Sequence, residues 1–206
     1  MKKQLLKLKI KYMLFSSFLF VFLYKSAEFY TKTIKEVSSI VMSWEKNIPF
    51  IPILIVPYMT SGLLFSIIFL LPKNKNNLIL LFKRANFMTI LSSSIFFIYP
   101  LKFSFTKPIV ENTIYRFLFF LLKVFDSDFN QCPSLHVSYA LLYITVFYKE
   151  LKSPFKYLAC FWAFLIAISV IFVYQHHFID FLAAIVVIAI TFFIFPDKIK
   201  KKYIEL

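Results

Sequence analysis

The sequence predicts an all-α integral membrane protein: a bundle of six transmembrane helices with one short amphipathic helix lying in the interface. Three observations carry this expectation. Hydrophobic residues make up 60% of the 206 residues, 29 of them Phe, and the mean hydropathy of +0.76 is far above that of soluble domains. Six apolar segments follow one another, each bounded by charge or proline and most of them near the length of a membrane crossing. The basic residues between them are unevenly shared, as the positive-inside rule requires of a spanning chain. The same composition excludes other classes. Gly62 is the single glycine, which leaves no Gly-rich phosphate cradle of the P-loop or dinucleotide type. No repeat, low-complexity tract or Pro/Ser linker divides the chain, so residues 1–206 read as one domain.

The first apolar segment, 12–30, follows a basic start, and Lys25 and Glu28 interrupt its outer end. Its core at 13–24 also fits a signal-peptide h-region, although Lys25-Ser26-Ala27 makes a poor cleavage site, and retention as a span is expected. The second segment, 48–71, has no charge between Lys46 and Lys73, and the third covers 85–101. Between the third and fourth, Ile114, Phe117, Leu118, Leu121, Leu122 and Phe125 fall on one helical stripe. That stretch, 111–125, is too short to cross and carries Arg116 and Lys123, so it is expected to lie in the interface over the active side. The fourth segment, 134–148, opens after Pro133, a residue suited to the first turn of a helix because it lacks an N–H. Segments 154–173 and 177–195 complete the six.

Charge orients the bundle. With the N-terminus inside, the inner segments hold 16 of the 24 basic residues, including Lys198, Lys200, Lys201 and Lys202, and the outer segments hold 8. Both termini are then cytoplasmic and the lipid bilayer, of bacterial inner (plasma) membrane type, is the expected surroundings. The net charge of +14 reflects this orientation and the anionic inner surface. It does not indicate a nucleic-acid partner, because no basic and aromatic stripe sits on a soluble domain. Cys132 and Cys160 fall towards opposite membrane faces, which excludes a disulfide, and no CxxC spacing suggests structural zinc.

All three histidines lie in two short motifs, Cys132-Pro133-Ser134-Leu135-His136 and Gln175-His176-His177-Phe178-Ile179-Asp180. His136 and His176 are 40 residues apart, two crossings of about 20 residues each, so an out-and-back hairpin returns both to one face. With the orientation above, that face is extracytoplasmic. His176 and Asp180 are i and i+4, which on a helix share a face and can hydrogen-bond. A carboxylate on one imidazole nitrogen fixes the tautomer and leaves the other free to attack. His177 points about 100° away on the same wheel and is the expected bystander. Ser134, inside the first turn of its helix, would offer free backbone amides to an anion, and His136 could donate a proton to a leaving group. Lone motifs of this kind often serve capping or interfacial solvation. An Asp beside the His pair is costly in a membrane without a partner and a task.

These residues resemble the type 2 phosphatidic acid phosphatase superfamily. The pentapeptide ending at His136 looks like its Pro-Ser-x-His motif, and 169–180 resembles its third motif, with Ser169, His176 and Asp180 in register. The runs 130–137 and 175–180 look nearest the branch of inositol-phosphorylceramide and sphingomyelin synthases, and the likeness covers roughly 100–184. The resemblance implies a cofactor-free, metal-free phosphohistidine mechanism. His176 would be the nucleophile, Asp180 its orienter, and His136 the acid for the leaving group and then the base for the acceptor. It differs where the family has arginines: Val170 occupies the third-motif position, and the first motif is reduced to Lys102-x4-Lys107-Pro108. Lys102 and Lys107, with Ser134, are the expected phosphate contacts, although Lys lacks the bidentate fork of Arg.

The function expected is hydrolysis of a membrane lipid phosphate, with phosphotransfer to a lipid or sugar acceptor, or a family member of reduced activity, as alternatives. Phosphatidic acid, phosphatidylglycerophosphate, a polyprenyl pyrophosphate and a lipid A phosphate all fit. A zinc site from His136, His176, His177 and Asp180 has acceptable ligand types, but the lysines would repel a cation. A transporter would place ionisable groups deep in several spans, whereas here they cluster at one face.

Overall fold

A computed structural model describes residues 2–197. Seven α-helices follow in order: α1 (Lys2–Lys32), α2 (Ile55–Ile67), α3 (Lys75–Ile98), α4 (Thr113–Phe125), α5 (Leu135–Glu150), α6 (Phe155–Phe172) and α7 (Phe178–Ile194). Single 3-10 turns at Pro52–Leu54 and Ile68–Leu70 extend α2 at both ends, and another at Ser43–Asn47 precedes it. Among the described residues no strand forms. Two isolated bridges, Ser38 with Leu101 and Lys102 with Phe129, tie the long loops together.

Local chemistry starts several of these helices. Asn74 caps α3 by accepting from the Asn77 amide at 2.9 Å, and Asn112 caps α4 by accepting from Ile114 and Tyr115 at 3.0 and 3.2 Å. Each such cap contributes about 1 kcal/mol. Helix boundaries differ from expectation at three places. The segments expected at 12–30 and 85–101 are parts of longer helices that begin at Lys2 and Lys75. Lysine is a good helix former and its stem lies along apolar surface, so a charge ends an apolar run without ending a helix. The segment expected at 48–71 begins as helix only at Pro52, because the chain before it is extended and the Ile51 amide donates to the Phe172 carbonyl at 2.9 Å. The remaining elements agree with expectation to within about two residues, the usual uncertainty of helix ends.

Packing centres on α5, which contacts α2, α3, α6 and α7. Phe69, Leu78, Met88, Tyr139, Tyr143 and Ala163 form the buried centre of the largest core cluster. Buried hydroxyls lock it. Tyr139 donates to the Ala85 carbonyl at 2.8 Å and lies 2.6 Å from the Thr89 hydroxyl, while Tyr143 donates to the Ser61 carbonyl at 2.9 Å. Such bonds contribute about 1 kcal/mol each net, and leaving one partner unpaired costs more. The outside is as apolar as the inside: Phe18, Phe29, Leu63, Phe161 and Phe193 are exposed. Contiguous exposure of this kind suits lipid rather than water. Three helical stretches, Pro52–Leu70, Lys75–Ile98 and Phe155–Phe172, are long and apolar enough to cross a membrane. The helix Phe178–Ile194 is apolar but shorter.

The two charge sets of the sequence sit at opposite ends of the bundle. At one end Lys9 donates to the Leu70 carbonyl at 2.7 Å, Glu150 accepts from Asn77 and the Lys73 amide, and Asp197 pairs with Arg84 and Lys149. At the other end Glu28 pairs with Lys25 and Lys32, and Lys107 with Asp128. Lys198, Lys200, Lys201 and Lys202 lie outside the described residues. Both histidine motifs belong to the second end.

Candidate active site

The turn from α6 to α7 builds one half of the site. The Val170 carbonyl accepts from both the Gln175 and His176 amides, at 3.0 and 3.1 Å, while Tyr174 takes a positive φ of 54° to reverse the chain. Helix α7 starts only at Phe178, so His176 and His177 precede it rather than share its surface. This corrects the helical-wheel expectation. The His–Asp proximity survives for a different reason: Asp180 folds back over the helix start, where four amides lack intrahelical partners. Its Oδ2 accepts from the His177 amide at 2.8 Å and lies 3.3 Å from His176 Nδ1. One carboxylate thus caps the helix and faces the imidazole.

The other half comes from the start of α5. Ser134 is the N-cap, its hydroxyl accepting from the Val137 amide at 3.4 Å, and Pro133 precedes the helix instead of forming its first turn. Ser134 is fully buried, and its amide donates to the Asp180 carbonyl at 3.1 Å. Its polar groups therefore face the protein, joining the two motifs directly. One turn of helix then presents His136, whose ring centre is 5.9 Å from that of His176. His136, His176 and Asp180 come together.

His177 does not join them. Its Nδ1 meets Glu45 Oε2 at 2.9 Å, its Nε2 lies 3.1 Å from the Ser104 hydroxyl, and its ring stacks on Phe103 at 4.5 Å. Glu45 is 2% exposed and also accepts from the Met42 and Phe178 amides, at 2.8 and 3.1 Å. The set His136, His176, His177 and Asp180 consequently does not converge. Among the described residues no three His, Cys, Asp or Glu side chains gather as metal ligands. Lys102 is exposed and is held through its backbone, while Lys107 pairs with Asp128 at 3.0 Å. Neither makes a hydrogen bond or ion pair with the His–Asp group. Cys132 sits beside it, but burial, reinforced by Asp180, pushes its thiol up to about 12, too high for a thiolate nucleophile at neutral pH.

Two cavities meet near His136. An apolar one of about 380 Å³ opens between α1, α2, α4 and α5, walled by Phe20, Phe65, Leu122 and Tyr143, with His136 and Asp126 among its few polar groups. A more polar one of about 620 Å³ is lined by Glu28, Lys32, Lys107, Lys123, Asp128 and Gln175, with Phe103, Phe105 and Phe129 among its apolar walls. Asp126 and Leu122 border both. Sequence reasoning overlooked Asp126, Tyr24, Tyr58 and Glu45. Asp126 is 13% exposed, accepts from Tyr24, from Tyr58 at 2.5 Å and from the Ser127 amide at 2.9 Å, and lies 3.9 Å from His136 Nε2. Burial alone would raise its pKa; the neighbouring His136 imidazole and these hydrogen bonds outweigh it and hold the carboxyl below its ordinary value. The signal in the sequence was faint, an Asp closing an amphipathic helix. Tyr24 and Tyr58 carried none, being two among 12 tyrosines.

Comparison with known proteins finds no match: no family model fits the chain, and no curated protein or solved structure is similar to it.

Proposed function

We propose that this chain is a membrane enzyme of the type 2 phosphatidic acid phosphatase kind, which releases phosphate from a membrane lipid through a phosphohistidine. The observation that carries the reading is the contact of His176 with Asp180 beside His136, at the head of an apolar cavity. With Asp180 on Nδ1, the Nε2 lone pair of His176 attacks phosphorus. The bond from phosphorus to the lipid oxygen breaks, and His136 gives that oxygen its proton. Water then attacks the phosphohistidine, losing its proton to His136 as the N–P bond breaks, which returns free phosphate and the starting enzyme. A cavity of 380 Å³ with greasy walls supports a lipid tail as the remainder of the substrate.

The polar cavity favours a second reading, transfer of the phosphoryl-bearing group to an alcohol. Gln175 Nε2, buried and lacking a partner among the described residues, is a donor on that side suited to an acceptor hydroxyl. The proposed setting is the plasma membrane with six spans, α1, α5 and α7 joining the three long apolar stretches. Both termini are then inside and the site outside.

The deciding assay uses the purified chain in detergent with EDTA, a panel of lipid phosphates and free phosphate as readout. Turnover is expected to survive chelation. Loss on chelation with rescue by zinc would replace the phosphohistidine with a metal hydroxide. Release of a diacylglycerol or ceramide-type product only when an alcohol is added would favour transfer. Orthovanadate bound without turnover of any lipid would mark a site of reduced activity.

A further inference from the structure

We infer that Asp126 is the positioning residue of His136, holding the imidazole and its positive charge for the proton-donating step; this rests on the phosphatase reading. The three-residue chemistry makes no use of Asp126, yet three elements converge to place it. It ends α4, the α1 residue Tyr24 donates to its Oδ1, and the α2 residue Tyr58 donates to its Oδ2 at 2.5 Å. The Ser127 amide adds a second bond to Oδ1 at 2.9 Å. Oδ2, which keeps further acceptor capacity, is the oxygen 3.9 Å from His136 Nε2. Tyr58 belongs to both partners, because its ring stacks on the imidazole at 4.4 Å and its hydroxyl lies 3.4 Å from Nδ1. A carboxylate this enclosed is costly unless a positive charge answers it. His136 is the group placed to do so, and it carries that charge whenever it is ready to donate a proton.

The competing account is a pin that ties α1 and α2 to α4. A pin needs only a neutral contact to each tyrosine, which Asn keeps by accepting from one hydroxyl and donating its amide N–H to the oxygen of the other, whereas a charge partner needs the carboxylate. The experiment therefore compares Asp126→Asn with Asp126→Glu on two phosphomonoesters. An alkyl ester such as phosphatidic acid needs a proton on its leaving oxygen, while p-nitrophenyl phosphate departs without one. General acid catalysis contributes about 10²–10⁴-fold, so D126N is expected to lose about 100-fold or more in kcat on the alkyl ester. It should lose less than about fivefold on p-nitrophenyl phosphate, with D126E recovering most of the difference. Equal losses on both esters, or none, would overturn the inference. Tyr58→Phe, which removes one hydroxyl and keeps the stacked ring, serves if D126N does not fold, and is expected to show a smaller loss with the same selectivity. An inactive wild type would instead refute the phosphatase reading. In that case histidine-selective ¹⁵N NMR, with only three imidazoles to resolve, still judges the pairing. D126N must move the His136 resonances and leave those of His177 in place, and an unmoved His136 ends the proposal.

Discussion

His176 has Asp180 on Nδ1 and no protein hydrogen bond at Nε2 among the described residues, whereas both ring nitrogens of His177 are engaged by Glu45 and Ser104. Two adjacent imidazoles therefore fail differently when removed. His176→Ala is expected to cut turnover by about 10³-fold or more while leaving thermal unfolding of the micellar protein near wild type, as removal of a nucleophile does. His177→Ala leaves the buried Glu45 carboxylate one hydrogen bond short, holding only the Met42 and Phe178 amides. Leaving a buried acceptor short costs about 1–3 kcal/mol, so this variant should unfold earlier, with the folded fraction still turning over. Unchanged stability for His177→Ala together with lost activity would reverse the two roles. The pairing of His176 with Asp180 was legible in their spacing, although the reason differed: a cap that folds back, not a shared helical face. Glu45 and Asp126 were not legible, because their partners stand 132 and 10 residues away and nothing periodic links them. A buried acid becomes visible only when the fold supplies its cation or its hydroxyls.

At the scale of the element, apolar runs foretold all seven helices because lipid and core alike demand a greasy surface. They misplaced the starts of α1 and α3, where lysines continue the helix. The stripe assigned to α4 is real in part: Leu122 is buried, but Ile114, Phe117 and Phe125 are exposed, so the helix turns apolar surface outward as well as inward. Helix α2 holds the most specific consequence. Gly62, the chain's single glycine, lines the apolar cavity, and a Cβ there would meet nothing within 4 Å. Glycine inside a helix costs about 0.5–1 kcal/mol relative to alanine, so Gly62→Ala is expected to stabilise the protein by roughly that amount. Gly62→Phe should instead fill the cavity. Turnover of long-chain lipid phosphates is expected to fall about tenfold or more, while p-nitrophenyl phosphate, which has no tail, is hydrolysed as before. Equal rates for every chain length in Gly62→Phe would remove the cavity from the substrate path.

For the molecule as a whole, the sidedness of charge and the sidedness of chemistry coincide. Asp126, His136, His176 and Asp180 sit at one end with Lys32, Lys107 and Lys123, while Lys9, Lys73, Arg84 and Lys149 mark the other. In the proposed topology, an even number of crossings with the richer set inside, the site lies outside. Three helices are long and apolar enough to cross, and the other proposed crossings depend on shorter or more charged helices: α5 has 16 residues, α7 has 17, and α1 carries lysines through its first turns. At 1.5 Å per residue α5 is about 24 Å long, short of the ~30 Å hydrocarbon core, so it spans only if its capped end and the His136 site lie within the interfacial layer. Reporter fusions test that arrangement directly. A reporter after Asp128 is expected to read as extracytoplasmic, and reporters after Lys75 and Lys152 as cytoplasmic. Asp128 and Lys152 flank α5, so opposite readings at those two sites establish the crossing, and equal readings would show that α5 does not span. If Lys75 and Lys152 both proved external and Asp128 cytoplasmic, the orientation would invert and the phosphate donor would have to be a lipid of the inner leaflet.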